Sequence, residues 1–251
     1  MLFFNSKKPV LADLIPNNYV DIHSHLLPDI DDGSPNLETS ILLIQQLQKL
    51  GFSEFITTPH IMEVLYPNTE LDILEVLKDT KIKLTKAGIT APFSASAEYM
   101  MDGAFIDKID QKEIVTLKNN YVLAEMSYVN PPFNLFDIIF KLQVAGYQPI
   151  LAHPERYAFY HNNLGNLKKL KDAGCLFQMN LLSTVGYYGA GVSKTADYLL
   201  ANSLIDFVGS DVHHQKHVDS FYTKIVLKNH HKITQLLENN FVFSKKQTTF
   251  S

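Results

Sequence analysis

Arginine is almost missing from this chain. Lysine and arginine together number 22 in 251 residues, and Arg156 is the single arginine. Cysteine is equally scarce, with Cys175 alone, and tryptophan is absent. One cysteine builds no disulfide framework within the chain, which fits a reducing compartment. It builds no thiolate zinc cage either. A cysteine nucleophile in a C-x5-R loop is excluded, because the arginine position after Cys175 holds Leu181. No P-loop and no G-x-S-x-G elbow is present. No apolar run approaches the roughly 18 residues of a membrane span. The start, "MLFFNSKKPVLADLIP", sets its apolar residues before its lysines and lacks the long apolar core of a secretion signal. A cytoplasmic chain with no membrane insertion is the reading. The net charge of −4 lacks the basic field of a nucleic-acid binder, so no nucleic-acid partner is expected. Attraction for an anionic substrate would have to be local.

What is present is a core and a rhythm. Hydrophobic residues make up 46% of the chain, enough for a sizeable interior. No linker, low-complexity tract or repeat divides it. Residues 1–18 read as an N-terminal extension and 19–251 as a single domain. The stretches "YVDIHSH", "EFITTPH", "FSASAEY", "YVLAEMS", "PILAHPE", "LFQMNLLS" and "DFVGSDVH" read as strands. Helical stretches lie between them, such as "LETSILLIQQLQKLG", "PFNLFDIIFKLQVAG" and "LGNLKKLKDAG", each closed by a glycine. Seven strands alternating with helices predict a parallel α/β architecture, most simply one barrel. The glycines of "TVGYYGAGVSKTADYLL" precede a helix. A helix N-terminus there could bind an anion, but a flexible loop is the expectation.

Polar residues fall at the C-terminal ends of these strands: His23 and His25, His60, Glu98, Glu125, His153, Asp211 and His213. A parallel barrel gathers those ends on one face, where barrel active sites sit. In H-x-H, positions i and i+2 point to the same side of a strand, so His23 and His25 can grip one cation. Singly they are also compatible with two ordinary histidines. Asp29, Asp31 and Asp32 read either as a solvated turn or as a source of a hard oxygen ligand. Glu98 and Glu125 alone could be salt-bridge partners. Together, nitrogen and oxygen donors that track the strand rhythm point to a multinuclear metal site without thiolate.

Charge counting suggests the chemistry. About three divalent cations bring about +6, against about −4 from Asp32, Glu98, Glu125 and Asp211. The excess would attract a phosphate dianion and favour attack by a metal-bound hydroxide in line on phosphorus. Arg156 then has a use that lysine would not serve. Its planar fork matches phosphate in a bidentate way, so it is the candidate catalytic and substrate-binding side chain. The competing reading is a salt bridge to Glu155 or another carboxylate. Tyr66, Tyr128, Phe133 and Tyr157 could wall an aromatic pocket, or be ordinary rim and core aromatics.

The motifs "VDIHSHLLPDIDDGS", "TPH", "AE", "AEMS", "LAHPERY" and "GSDVH" resemble, in this order, the PHP (polymerase and histidinol phosphatase) superfamily. They look most like its bacterial manganese-dependent tyrosine phosphatases from capsule and exopolysaccharide loci. The resemblance runs from Tyr19 to about Asn240. It implies a distorted seven-stranded (β/α) TIM-like barrel with three divalent metal ions, manganese first, with iron, magnesium or zinc as alternatives. It implies that His23, His25, Glu98 and Asp211 hold one metal. Glu98 would bridge to a second, held also by Glu125 and His153, and Asp32, His60 and His213 would hold the third. It further implies phosphate binding or leaving-group assistance by Arg156. The substrate it implies is the phosphotyrosine tail of a membrane-associated polysaccharide kinase. Relatives often carry a further basic residue after the motif matching "TPH", where this chain reads "IMEVLYPN". Some carry an arginine beyond the D-x-H pair, where Lys216 and His217 stand. The rival functions are a small-molecule phosphatase of the histidinol-phosphate type, a phosphodiesterase, and a non-catalytic metal-binding interaction module.

Overall fold

Each stretch expected to be extended carries a strand in the computed structural model, which describes residues 8–245. The strands are β1 (Tyr19–Asp21), β2 (Phe52–Thr57), β3 (His60–Ile61), β4 (Phe93–Ala95), β5 (Glu98–Met100), β6 (Tyr121–Glu125), β7 (Gln148–Ala152), β8 (Leu176–Asn180) and β9 (Phe207–Gly209). All pair in parallel, in a three-stranded sheet β1-β2-β4 and a six-stranded sheet β3-β5-β6-β7-β8-β9. Two of the seven expected strands are therefore each cut in two. The first cut falls at Thr58 and Pro59, and Pro59 has no N–H to give a ladder. Thr58 N turns away and donates to Ser24 O at 2.7 Å. The second cut falls at Ser96 and Ala97. Across the cuts Ser96 N donates to Thr57 O (2.9 Å) and Glu98 N to Pro59 O (3.1 Å), so the sheets stay in contact. Beyond β1 and β9, Ser24 and Val212 form a parallel bridge.

Parallel neighbours need crossover connections, and helices supply most of them. They are α1 (Leu37–Lys49), α2 (Glu70–Lys86), α3 (Gly103–Gln111), α4 (Leu135–Val144), α5 (Gly165–Asp172), α6 (Ala190–Ala201), α7 (Gln215–Ser220) and α8 (Ile233–Asn239). Local chemistry starts them. Asn36 caps α1 through its side chain, and Thr69 with Asp72 forms a capping box on α2. The expected loop at 184–200 is corrected: much of it is α6. Val192, Ala196, Leu199 and Leu200 recur at helical spacing and are buried, and that burial outweighs the flexibility its glycines suggest.

Both faces of the strands are covered. On β6, Val122 and Ala124 join the larger apolar cluster under the helices, while Leu123 joins a smaller one with Val20, Ile22, Ile56 and Ile150. That two-sided burial explains why these strands read as nearly continuous apolar runs. Within the expected extension, Leu11 is buried in the larger cluster and Val10 pairs with Lys224; residues 1–7 lie outside the described residues. No helix among the described residues is long and apolar enough to cross a membrane.

Candidate metal centre

The nine histidines and carboxylates singled out in the sequence come together in four overlapping groups. They are His25, Asp32, His60 and His213; His23, Glu98 and His153; His23, His25 and Asp211; and His60, Glu98 and Glu125, with ligand atoms within 4.8 Å of one another in each. The parallel topology does this, because every contributing loop leaves the same end of a sheet. Asp32 is the exposed member and His213 lies at the rim; the other seven are buried.

His23 Nε2 lies 3.2 Å from Glu98 Oε2 and 3.4 Å from Asp211 Oδ1. His25 Nε2 lies 3.4 and 3.5 Å from the same two oxygens, so both rings of H-x-H address one point. Glu98 Oε1 turns the other way, 2.9 Å from His153 Nε2, with Glu125 Oε2 at 3.8 Å from that nitrogen. His60 straddles two groups. Its Nδ1 is 3.0 Å from Glu125 Oε1, and its Nε2 is 3.4 Å from Asp32 Oδ1. His213 Nε2 is 3.5 Å from the same Asp32 oxygen.

The donor set fits divalent cations. His23 Nε2, His25 Nε2, His60 Nδ1, Glu98 Oε2 and Glu125 Oε1 are buried without a hydrogen-bond partner. Buried polar atoms are normally satisfied, and five converging nitrogen and oxygen orphans describe a coordination shell. The outward nitrogens are held instead. His25 Nδ1 meets Asp31 Oδ2 at 2.7 Å, His23 Nδ1 meets Gln178 Oε1 at 2.7 Å, and His213 Nδ1 meets the Asp211 carbonyl at 2.9 Å. An acceptor behind a ring puts the hydrogen there and leaves the other lone pair for a metal. Asp31 is thus a supporting group, and it also accepts from His60 N at 3.0 Å. Gly33 is dictated by close approach: a Cβ there would lie 2.4 Å from His25 Cβ.

The histidines and carboxylates of the cluster also shift one another's ionisation. Burial disfavours the charged form of His23, but Glu98 and Asp211 outweigh it and raise its pKa. Burial and His25 likewise oppose the charged form of His60, yet Asp32, Glu125 and Glu98 push its pKa up to about 10. Glu98 and Asp211 would be raised by burial, but the surrounding histidines hold both well below the usual carboxylate range. His153 and Asp211 also sit at φ +35° and +50°, in the left-handed region that non-glycine residues rarely occupy.

Arg156 lies between the rings of Tyr128 and Tyr188, its guanidinium carbon 4.8 and 4.4 Å from their centroids. Its Nη1 donates to Asp211 Oδ2 at 2.9 Å, so its carboxylate partner is Asp211, not Glu155. Glu155 is buried behind the site, where its Oε1 accepts from Asn180 N and Ser183 Oγ at 2.9 and 2.7 Å. Arg156 also lines a cavity of about 710 Å³ that opens over the metal-ligand cluster. Among the described residues it is the only lysine or arginine lining that cavity; His217 lines it and Lys216 does not. Met62, Leu65, Tyr66, Tyr128, Val129 and Tyr187 make the wall largely apolar.

The aromatic candidates divide. Tyr66 stacks on His60 at 5.6 Å and, like Tyr128, faces the cavity. Tyr157 is a core residue, its hydroxyl donating to Ala152 O and accepting from Met126 N. Phe133 is fully exposed and does not line the cavity. Tyr187, Tyr188, Gln178 and Asn180 escape sequence reading. The signal for the last two is present in "LFQMN": polar side chains at i and i+2 on one face of an otherwise apolar strand.

Residues 19–239 match the family model for capsular polysaccharide synthesis proteins, CpsB/CapC. The chain belongs to the CpsB/CapC family. It is 31% identical to CapC of Staphylococcus aureus over 199 residues, covering 77% of this chain and 76% of that one. It is 28% identical to the tyrosine-protein phosphatase YwqE of Bacillus subtilis over 209 residues, covering 83% and 82%. A crystal structure from work on YwqE and on CpsB from Streptococcus pneumoniae, described as metal-dependent tyrosine phosphatases, superposes with a TM-score of 0.75 at 26% identity, over 88% of this family member and 94% of that chain. An amidohydrolase from Mycoplasma synoviae shares the fold, with a TM-score of 0.50 at 13% identity over 96% and 87%.

Proposed function

We propose that this protein is a metal-dependent protein-tyrosine phosphatase acting on the phosphotyrosine tail of a capsule or exopolysaccharide kinase in the cytoplasm. In this reading the two sheets form one distorted seven-stranded barrel, closed through the Ser24–Val212 bridge. One observation carries the proposal. Buried, unpartnered nitrogen and oxygen donors converge beneath a cavity that holds a single guanidinium and a mostly apolar wall.

His23, His25, Glu98 and Asp211 would hold one divalent cation, Glu98, Glu125 and His153 a second, and Asp32, His60 and His213 a third. Manganese is the ion preferred from the family resemblance; iron and zinc suit the same donors, and magnesium suits them less well. When bound, the metals would supply Lewis acidity that lowers the pKa of a water and offsets phosphoryl charge. The protein supplies the rest. Arg156 commits Nη1 to Asp211 and keeps its other donors for phosphoryl oxygens. Tyr128 and Tyr188 hold the guanidinium plane, so the donors are aimed before substrate arrives. Tyr66 and Tyr128 offer faces for an aryl group, with Leu65 and Val129 as apolar neighbours at the exposed rim. A polar metabolite such as histidinol phosphate would find few partners on such a wall.

The test is phosphate release from a phosphotyrosine peptide by chelator-stripped protein, with manganese added back. Release is expected only with metal, and faster than from histidinol phosphate or an aryl phosphodiester. Faster release from either of those would transfer the assignment to a small-molecule phosphatase or a phosphodiesterase. Metal binding with no turnover on any of the three would leave an interaction module.

A further inference from the structure

We infer that Gln178 and Asn180 form an amide relay that positions the metal ligands His23 and Asp211; the inference rests on the metal-centre reading above. Both residues are on β8, two apart, so their side chains share one face. Both are fully buried. The Gln178 amide lies 2.7 Å from His23 Nδ1 and 3.1 Å from Asn180 Oδ1. Asn180 Nδ2 donates to Asp211 Oδ2 at 2.5 Å.

The direction of this chain follows from its end. An ionised carboxylate only accepts, so Asn180 must present its NH2 group to Asp211. Its carbonyl oxygen then faces Gln178, which must answer with its own NH2 group. Gln178 Oε1 is left for His23, and only a protonated Nδ1 can donate to it. His23 Nε2 is thereby kept bare in the neutral ring, and it is among the buried atoms without a partner. The same chain divides the labour of Asp211. Asn180 and Arg156 both occupy Oδ2, leaving Oδ1 toward the Nε2 atoms of His23 and His25. The charge of one candidate ligand thus sets the tautomer of another through two amides.

The surroundings hold the relay in place. Asn180 N donates to Glu155 Oε1, which also takes the Ser183 hydroxyl. On β9, a Cβ at Gly209 would lie 2.6 Å from His23 Cβ and 2.8 Å from Gln178 Nε2, so only glycine lets the pair approach. Neither amide reaches substrate in this arrangement; they are positioning residues.

The experiment measures manganese affinity by calorimetry on chelator-stripped full-length protein, with melting of the stripped form alongside. Gln178→Met keeps length without hydrogen bonding and is expected to weaken binding by about tenfold to a hundredfold. Gln178→Glu gives His23 Nδ1 an acceptor that needs no orientation by Asn180, but loses the NH2 group that meets Asn180 Oδ1, and is expected to recover only part of that loss. Asn180→Leu removes the amide that links Asp211 to Gln178, leaves Gln178 unoriented, and is expected to lose about as much as Gln178→Met; it carries the test if Gln178→Met does not fold. Unchanged affinity in Gln178→Met or Asn180→Leu would overturn the relay, as would a fall in the stripped protein's melting temperature with affinity intact. If the wild-type protein itself binds no manganese, the metal-centre reading fails instead, and that result is read separately.

Discussion

Two buried polar clusters sit on the same strands, and they are built on opposite terms. Near the start of β1, the Asn240 NH2 group, with two hydrogens, has Val208 O, Val20 O and Tyr19 Oη at 2.7, 2.9 and 3.2 Å, and its Oδ1 accepts from Val208 N at 3.3 Å. Tyr19 donates in turn to Val208 O at 3.1 Å. Every arm of that amide is used. At the other end of the strands, five donor atoms of His23, His25, His60, Glu98 and Glu125 point at one another with no hydrogen bond made. A satisfied cluster locks neighbouring elements together; an unsatisfied one is costly unless something else fills it. The first ties the C-terminal segment to β1 and β9. The second is arranged for a guest, and the strained backbone at His153 and Asp211 belongs to it alone.

The sharpest way to break this comparison is to change one member of each cluster. Glu98→Gln removes the carboxylate shared by four histidines. Manganese binding and metal-dependent phosphate release should fall at least about a thousandfold, or ~4 kcal/mol, while the stripped protein still folds; calorimetry and a steady-state assay check both. Asn240→Leu should do the reverse. It strands buried carbonyls and costs about 3 kcal/mol in a denaturant titration, with turnover per folded molecule unchanged.

Arg156→Lys sharpens the reading of the mouth. Lysine cannot stack flat between Tyr128 and Tyr188 or offer a fork. A drop of roughly tenfold to a hundredfold in kcat/KM for an aryl phosphate is expected, smaller than for a lost ligand. Unchanged kcat/KM would reduce Arg156 to a salt bridge.

The last effect is one of pH on the stripped protein. The His60 pKa is raised from 6.5 to about 10, so the stability it contributes is fully present below 6.5 and is lost as pH rises toward 10. The carboxylates of Glu98 and Asp211 are shifted the opposite way, and their contribution is lost on acidification through and below the ordinary carboxylate range. The melting temperature of stripped protein should therefore decline from pH 6.5 to 10. Manganese-loaded protein should decline less, because a bound cation takes the place of the protons on its histidine ligands. The cluster around Asn240 contributes no such slope from its amide. Parallel pH profiles that coincide with and without metal would count against the comparison.

Strand rhythm and the placement of polar residues at strand ends are legible in this sequence because both are local. A strand that ends in H-x-H or D-x-H carries its own signal. Helix α6 is only partly legible: a helix after the glycines can be read, but the glycines advertise a loop, and burial against the body decides for the helix. The cuts at Pro59 and Ala97 are half legible: proline forbids a ladder bond, but nothing in "FSASAEY" announces a second break. The aromatic wall depends on which rings turn outward, and "AHPERY" gives no hint that Tyr157 turns in while Tyr188, from a distant loop, covers Arg156.

By itself, the sequence determines the class of fold, the set of nitrogen and oxygen donors, and the single guanidinium, because periodicity and residue chemistry are properties of short stretches. Only the tertiary structure decides which donors meet, which ring nitrogen faces inward, and that Asp211 answers to both Arg156 and Asn180. Those facts depend on distances between residues as far apart in the chain as His23 and Gln178, and such distances exist only once parallel strands have brought their ends together.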